Sequence, residues 1–203
     1  LFSAMATGAA IICSHYIGMK DREGANKAAR QVVLTVATIA VVITIAGLIL
    51  RRPLLSFIFG KVEPEVMSNA VTYFLYTALS YPFLALFSAG SAIFRSCGNS
   101  RYPMMVSVIS NVINVCGNAL LMFVFNMGVA GAAISTLVSR VFCMVVIFIA
   151  LSKPKIDIVV SEYHKIRPDY KLIGSILAIG VPSGIENSMF QFGKLAIQST
   201  VST

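Results

Sequence analysis

Ser107, Asn111, Asn114 and Asn118 follow one another at steps of 4, 3 and 4, which puts all four on one face of a helix. They sit in a stretch that is otherwise apolar. Side-chain carbonyl oxygens in a row could coordinate a cation or line a wet cavity without burying a charge, whereas a single such amide is usually helix–helix glue. Both readings stay open for this stripe. A second one, Asn187, Gln191, Lys194 and Gln198, repeats the steps 4, 3 and 4, with Glu186 at its edge. A charge near the centre of a membrane helix costs about 2.5–3.5 kcal/mol on insertion scales. Glu186 and Lys194 are therefore candidates to face protein or water. The alternatives are ion pairs with other helices, or Lys194 snorkelling to an interface. The two are eight residues apart, too far for a direct pair. Arg140 follows Ser139 and lies four residues after Thr136, where it could meet an internal carboxylate or sit nearer the cytoplasm. Tyr76, with Tyr73, Thr77, Ser80 and Tyr81, suits either an interfacial belt or substrate stacking.

Other chemistry has little support. His15 and His164 have no Cys, Asp or second His at ligand spacing, and Cys13, Cys97, Cys116 and Cys143 match no metal or redox pattern. There is no G-x-S-x-G, H-E-x-x-H, G-x-G-x-x-G or phosphate-binding loop. The chain is expected not to be an enzyme and to need no cofactor.

The elements that must hold these residues are apolar spans. Of 203 residues 57% are hydrophobic and 12% charged, against roughly 25% charged in soluble domains. This excludes a disordered chain and a nucleic-acid module. Residues 31–50 carry no charge, and twenty residues rise about 30 Å as a helix, the thickness of the hydrocarbon core. Further spans are expected over residues 1–19, about 66–94 with a kink at Pro82, about 103–125, about 129–152, and from about 172 onward. Arg51, Arg52 and Pro53 are expected to end the span over 31–50, and residues 20–30 to form a charged loop. The fold class is all-α, a polytopic transmembrane bundle of about six spans. Residue 1 is Leu within an apolar run, so the chain reads as a fragment of a longer protein.

Orientation follows from the basic residues. Alternate loops hold eleven Lys and Arg, and the opposite loops hold three. The positive-inside rule puts the richer set, loops 20–30, 95–102 and 153–171, in the cytoplasm of a multi-pass cell-membrane protein. Residues 153–171 are the longest polar stretch and the best domain boundary.

Four segments carry a resemblance to a known family. They are ICSHYIGMKDREGA (12–25), FRSCGNSRYPM (94–104), NMGVAGAAISTLVSR (126–140) and GVPSGIENSMFQFGKLAIQS (180–199). Their order and spacing resemble the multidrug and toxic compound extrusion (MATE) family of antiporters. The resemblance implies about twelve spans in two six-helix lobes. Residues 1–152 would be the second to sixth helices of the first lobe, 153–171 the cytoplasmic inter-lobe linker, and 172–203 the truncated first helix of the second lobe. It also implies export of organic cations or drugs in exchange for Na⁺ or H⁺, by a full-length protein that acts as a monomer in the bilayer. By the same resemblance the coupling cation falls to Asn114, Asn118 and the hydroxyl of Thr136, with an Asp on a helix preceding Leu1. The substrate cavity falls to Ser107, Asn111, Tyr76, Glu186, Asn187, Gln191 and Lys194. Gln191 occupies the position where an acidic residue is found in other branches, and Glu186 lies nearer Pro182. The rival reading is a lipid-linked oligosaccharide flippase of the same superfamily, which Arg140 and Lys194 keep in play.

Overall fold

The computed structural model describes residues 2–61, 63–152 and 170–201. The linker expected over 153–171 falls, up to residue 169, outside the described residues. The described residues form six α-helices and no strand: α1 (Phe2–Gly18), α2 (Arg22–Phe59), α3 (Pro64–Ser96), α4 (Arg101–Ala119), α5 (Val129–Leu151) and α6 (Tyr170–Val201). A π turn, Leu120–Val124, extends α4. Helices suit long apolar runs in lipid, because they satisfy each backbone N–H and C=O within its own segment. Four stretches are long and apolar enough to cross a membrane, Arg22–Phe57, Pro64–Ser96, Arg101–Val124 and Val129–Leu151, and Ala4–Gly18 is a shorter apolar helix. Several hydroxyls inside them bond the preceding turn: Thr35 Oγ1 donates to Gln31 O at 2.8 Å and Thr44 Oγ1 to Ala40 O at 2.7 Å.

The second helix differs from expectation at both ends. The loop expected over residues 20–30 shrinks to a tight turn, and the helix continues through Arg51, Arg52 and Pro53 to Phe59. The cause at the start is a cap. Asp21 Oδ1 accepts a hydrogen bond from Gly24 N at 2.9 Å, so α2 begins at Arg22 although its first turns are charged. Lys20, at φ 58°, closes α1, with Asp21 N donating to Tyr16 O at 3.1 Å. At the other end Pro53 forfeits one backbone hydrogen bond without stopping the helix. The 38 residues of α2 rise about 57 Å, well beyond a hydrocarbon core of about 30 Å. The helix α3 likewise passes through Pro82 and ends at a reverse turn with Gly98 at φ 78°, Asn99 N donating to Phe94 O at 3.0 Å.

Two compact units make up the described chain, and they do not follow chain order. The first holds residues 1–36, 88–100 and 151–203, and the second 37–87 and 101–150. In the first unit α1 packs on α6 through glycines. A Cβ on Gly8 would lie 3.2 Å from Gly180 N and from Ile176 O, and one on Gly180 would lie 3.3 Å from Met5 Cα. Small residues let the two backbones approach in this way. Ala4, Ala9, Cys13, Ile176, Gly180 and Gly184 are all buried. In the second unit α4 and α5 carry the polar face.

Candidate functional site

The helices α4 and α5 belong together because one glycine sits between them. Gly117 leaves space for Ser135: a Cβ added there would fall 3.3 Å from Ser135 Cβ and inside contact distance of its hydroxyl. That hydroxyl donates to the backbone oxygen of Asn114 at 3.0 Å, and Ser135 is buried. Two turns before Gly117, Ser110 Oγ reaches across to Ser139 O at 3.2 Å. Ser139 Oγ donates back to Ser135 O at 2.9 Å. Hydroxyls thus cross-link the two helices without any charge.

The three residues expected at the cation site meet on this seam. Asn114 Nδ2 donates to Thr136 Oγ1 at 3.3 Å, and Asn118 Nδ2 donates to Asn114 Oδ1 at 3.1 Å. Thr136 Oγ1 in turn donates to Ala132 O at 3.0 Å. Each of the three side chains thus spends a proton within the cluster, and Asn118 keeps its oxygen to offer. Asn118 Oδ1 is buried with no hydrogen-bond partner among the described residues. A buried amide oxygen without a donor is costly in an apolar setting unless something electropositive meets it. Neutral oxygens of this kind suit Na⁺, a hard cation that takes carbonyl and hydroxyl ligands. No cluster of three or more His, Cys, Asp or Glu able to hold a metal occurs among the described residues. What the described residues offer at the site is amide and hydroxyl oxygen.

Beside this cluster lies a cavity of about 320 Å³. Ser107, Ser110, Asn111 and Asn114 line it from α4; Thr136, Ser139, Arg140 and Cys143 from α5; and Leu84 and Phe87 from α3. Three of the four residues of the polar stripe of α4, Ser107, Asn111 and Asn114, are thus on its wall. Arg140 is half-buried in it, and its Nη1 donates to Ser80 Oγ on α3. Ser80 is fully buried and passes its own proton to Thr77 O at 2.6 Å.

The other expected substrate residues lie elsewhere. Tyr76 is half-buried on α3 and is not among the residues lining this cavity. Glu186, Asn187, Gln191 and Lys194 lie on α6 in the first unit, and all four are exposed. Asn187 Nδ2 donates to Ser183 O at 3.0 Å, and Lys194 Nζ stands 4.8 Å above the Phe190 ring. The sequence reading missed Ser110, Ser135, Ser139 and Gly117. Their signal was present: Ser135 and Ser139 are four apart in the stretch ISTLVS, and Ser110 and Gly117 fall in the asparagine-bearing span. Leu84 and Phe87 had no signal, because apolar residues in an apolar span do not announce what they line.

The MatE family model matches residues 1–120. The chain is similar to the uncharacterized transporter YisQ of Bacillus subtilis, 26% identical over 202 residues, covering 97% of this chain and 44% of that protein. It is 27% identical over 200 residues to the probable multidrug resistance protein NorM of Thermotoga maritima, covering 95% of this chain and 41% of that one. Among solved structures, a MATE protein in the bent conformation superposes with a TM-score of 0.88 at 22% identity, covering 96% of this chain and 43% of its own. A MOP superfamily transporter from Pyrococcus furiosus gives 0.84 at 23% identity, covering 97% of this chain and 44% of its own. For that transporter a reverse polarity of the binding pocket suggests a different function. The chain spans less than half the length of these relatives. With the family model matching more than half of its residues, and with four helices able to cross a bilayer, this chain belongs to the MatE family and is a multi-pass membrane protein.

Proposed function

We propose that the full-length protein is a secondary active multidrug efflux antiporter that exports organic cations in exchange for Na⁺ or H⁺. The observation that carries this reading is the seam of Asn114, Asn118 and Thr136, where a buried amide oxygen lacks a donor. A cation entering there takes up Asn118 Oδ1 and turns the oxygens of Asn114 and Thr136 toward itself. The internal bonds at 3.1 and 3.3 Å must loosen as it does so. That rearrangement shifts α4 against α5, since Ser135 holds the Asn114 backbone. The energy for export comes from the electrochemical gradient of the coupling ion, and differential ion affinity of the inward and outward states couples it to alternating access. Ser107 and Asn111 belong to the substrate path in this reading, together with Tyr76 and the α6 residues Glu186, Asn187, Gln191 and Lys194. Residues 1–152 supply the second to sixth helices of the first lobe, 153–171 the cytoplasmic linker, and 172–203 the opening of the second lobe.

The deciding experiment uses the complete protein. Cells expressing it should accumulate less of a fluorescent organic cation than empty cells, and Asn118→Ala should abolish the difference. Unchanged efflux and unchanged ion dependence in that variant would sink the site assignment. A second reading, transport of a lipid-linked oligosaccharide, is favoured by one observation: Arg140 lines the cavity, and a guanidinium suits a phosphate-bearing substrate better than a bare cation.

A further inference from the structure

We propose that Arg140 makes the cavity between α3, α4 and α5 a carboxylate-recognising site, and that the exported amphiphile is a zwitterion whose carboxylate docks on its guanidinium. The proposal rests on the efflux reading for transport, but not for binding.

Depth comes first. Arg140 is the middle residue of α5, eleven residues from either end, so about 16 Å of helix separates it from each terminus. Its side chain is too short to carry the charge to an interface from there. The charge stays within the unit, and what it meets is the cavity.

No carboxylate neutralises it among the described residues. The acidic residues of this unit are Glu63 and Glu65, both exposed at the start of α3. Arg140 is tied to α3 at Ser80, fifteen residues after Glu65, which is about 22 Å along the helix. Every other residue lining the cavity is neutral.

The guanidinium is also aimed. A guanidinium has five N–H donors in a rigid fork. Among the described residues Arg140 has one hydrogen-bond partner, the Ser80 hydroxyl, whose own proton is spent on Thr77 O. Ser80 holds one edge as an acceptor and leaves a second edge free. A free edge on a positioned guanidinium matches the two oxygens of a carboxylate.

The surroundings describe the rest of the ligand. Ser107 and Asn111 have no side-chain partner among the described residues and stand on the same wall, as polar contacts for the ligand. Leu84 and Phe87 face them with apolar surface. A cavity of about 320 Å³ holds the polar head and part of an aromatic body. The cationic end of such a molecule satisfies the efflux reading, and its carboxylate answers Arg140.

The test compares two probes that differ in the carboxylate alone. Nε-dansyl-lysine is a zwitterion, and Nε-dansyl-lysinamide carries the same fluorophore and the same α-amine. Both are titrated at about pH 6 against the full-length protein in detergent, where the α-amine of each is protonated. The wild type should bind the acid at least about tenfold more tightly than the amide. Arg140→Gln should reduce the acid to the level of the amide, and Arg140→Lys should keep part of the preference, as charge without the fork. Equal binding of acid and amide by the wild type overturns the proposal, and this comparison needs no variant to fold. An unchanged preference in Arg140→Gln also overturns it. Displacement of the acid by added phosphatidylglycerol, but not by a neutral lipid, would make a lipid phosphate the occupant and overturn the carboxylate. Proteoliposomes separate the two readings. Export of a simple organic cation without preference for the acid leaves efflux standing and removes the site. Tight, Arg140-dependent binding of the acid without ion-driven export leaves the site standing and removes efflux.

Discussion

Replacing Gly117 with Ala should weaken the cation site without touching any of its ligands. The new Cβ falls 3.3 Å from Ser135 Cβ and inside contact distance of Ser135 Oγ. The hydroxyl has to rotate away and give up its 3.0 Å bond to Asn114 O, which costs about 1 kcal/mol. The remaining Cβ–Cβ crowding adds a cost of about 1–3 kcal/mol, typical of overpacking. Alanine returns about 1 kcal/mol through its better helix propensity. The net is a loss of about 1–3 kcal/mol, concentrated where Asn114 meets Thr136. Because the Asn114 backbone loses its anchor, half-maximal cation concentration should rise about tenfold, equivalent to about 1.4 kcal/mol. The assay is efflux of a fluorescent organic cation by the full-length protein, titrated against Na⁺ at fixed pH and against pH at fixed Na⁺, beside thermal unfolding in detergent. Ser135→Ala alone should lose only the hydrogen bond. Combined with Gly117→Ala it should recover part of the loss, because the clashing oxygen is gone. A double variant whose defects simply add would refute the reasoning, since residues in contact must couple. So would a Gly117→Ala protein identical to wild type.

Further predictions rest on other contacts. Asp21→Ala removes the acceptor for Gly24 N and should lower stability by about 1 kcal/mol, seen as a lower unfolding temperature with ion dependence unchanged. Gly180→Leu must push into the Met5 backbone at 3.3 Å, and should destabilise the α1–α6 pairing by several times as much as Gly174→Leu, where nothing lies within 4 Å. Arg140→Gln should tighten binding of the coupling cation. Arg140 follows Thr136 by one helical turn, about 6 Å along the axis, and at a charge separation of that order repulsion amounts to at most about 3 kcal/mol at an effective dielectric constant of about 20. Unchanged Na⁺ affinity in that variant would mean that the guanidinium and the cation site do not sense each other.

Much of the site was readable because its residues share one helix. Steps of 4, 3 and 4 put Ser107, Asn111, Asn114 and Asn118 on a common face whatever that face meets, and three of the four line the cavity. Thr136 came from the family resemblance and lies within hydrogen-bond reach of Asn114. The ends of α2 were not readable in the same way. Charge at residues 20–30 suggested a loop, but a single capping carboxylate at Asp21 was enough to start the helix. Pro53 looked like a stop, yet the helix accommodates it. The pairing of Arg140 with Ser80 joins residues sixty apart in sequence, and neither reveals the other.

The sequence by itself determined the apolar spans, their helical form and the common face of the asparagines. In lipid only helices and closed barrels satisfy the backbone, and an uncharged run of about twenty residues has the length of a spanning helix and not of a strand, so the helical period assigns each side chain to a face. What only the tertiary structure decided was which faces meet. That depends on how closely two helices approach and at what rotation, and here the approach turns on a missing Cβ at Gly117 and the hydroxyl of Ser135 that fills its place. The same packing brings Ser80 of α3 under the guanidinium of Arg140 and leaves Asn118 Oδ1 buried without a donor. Contacts of that kind are fixed by shape between distant segments, and no local spacing records them.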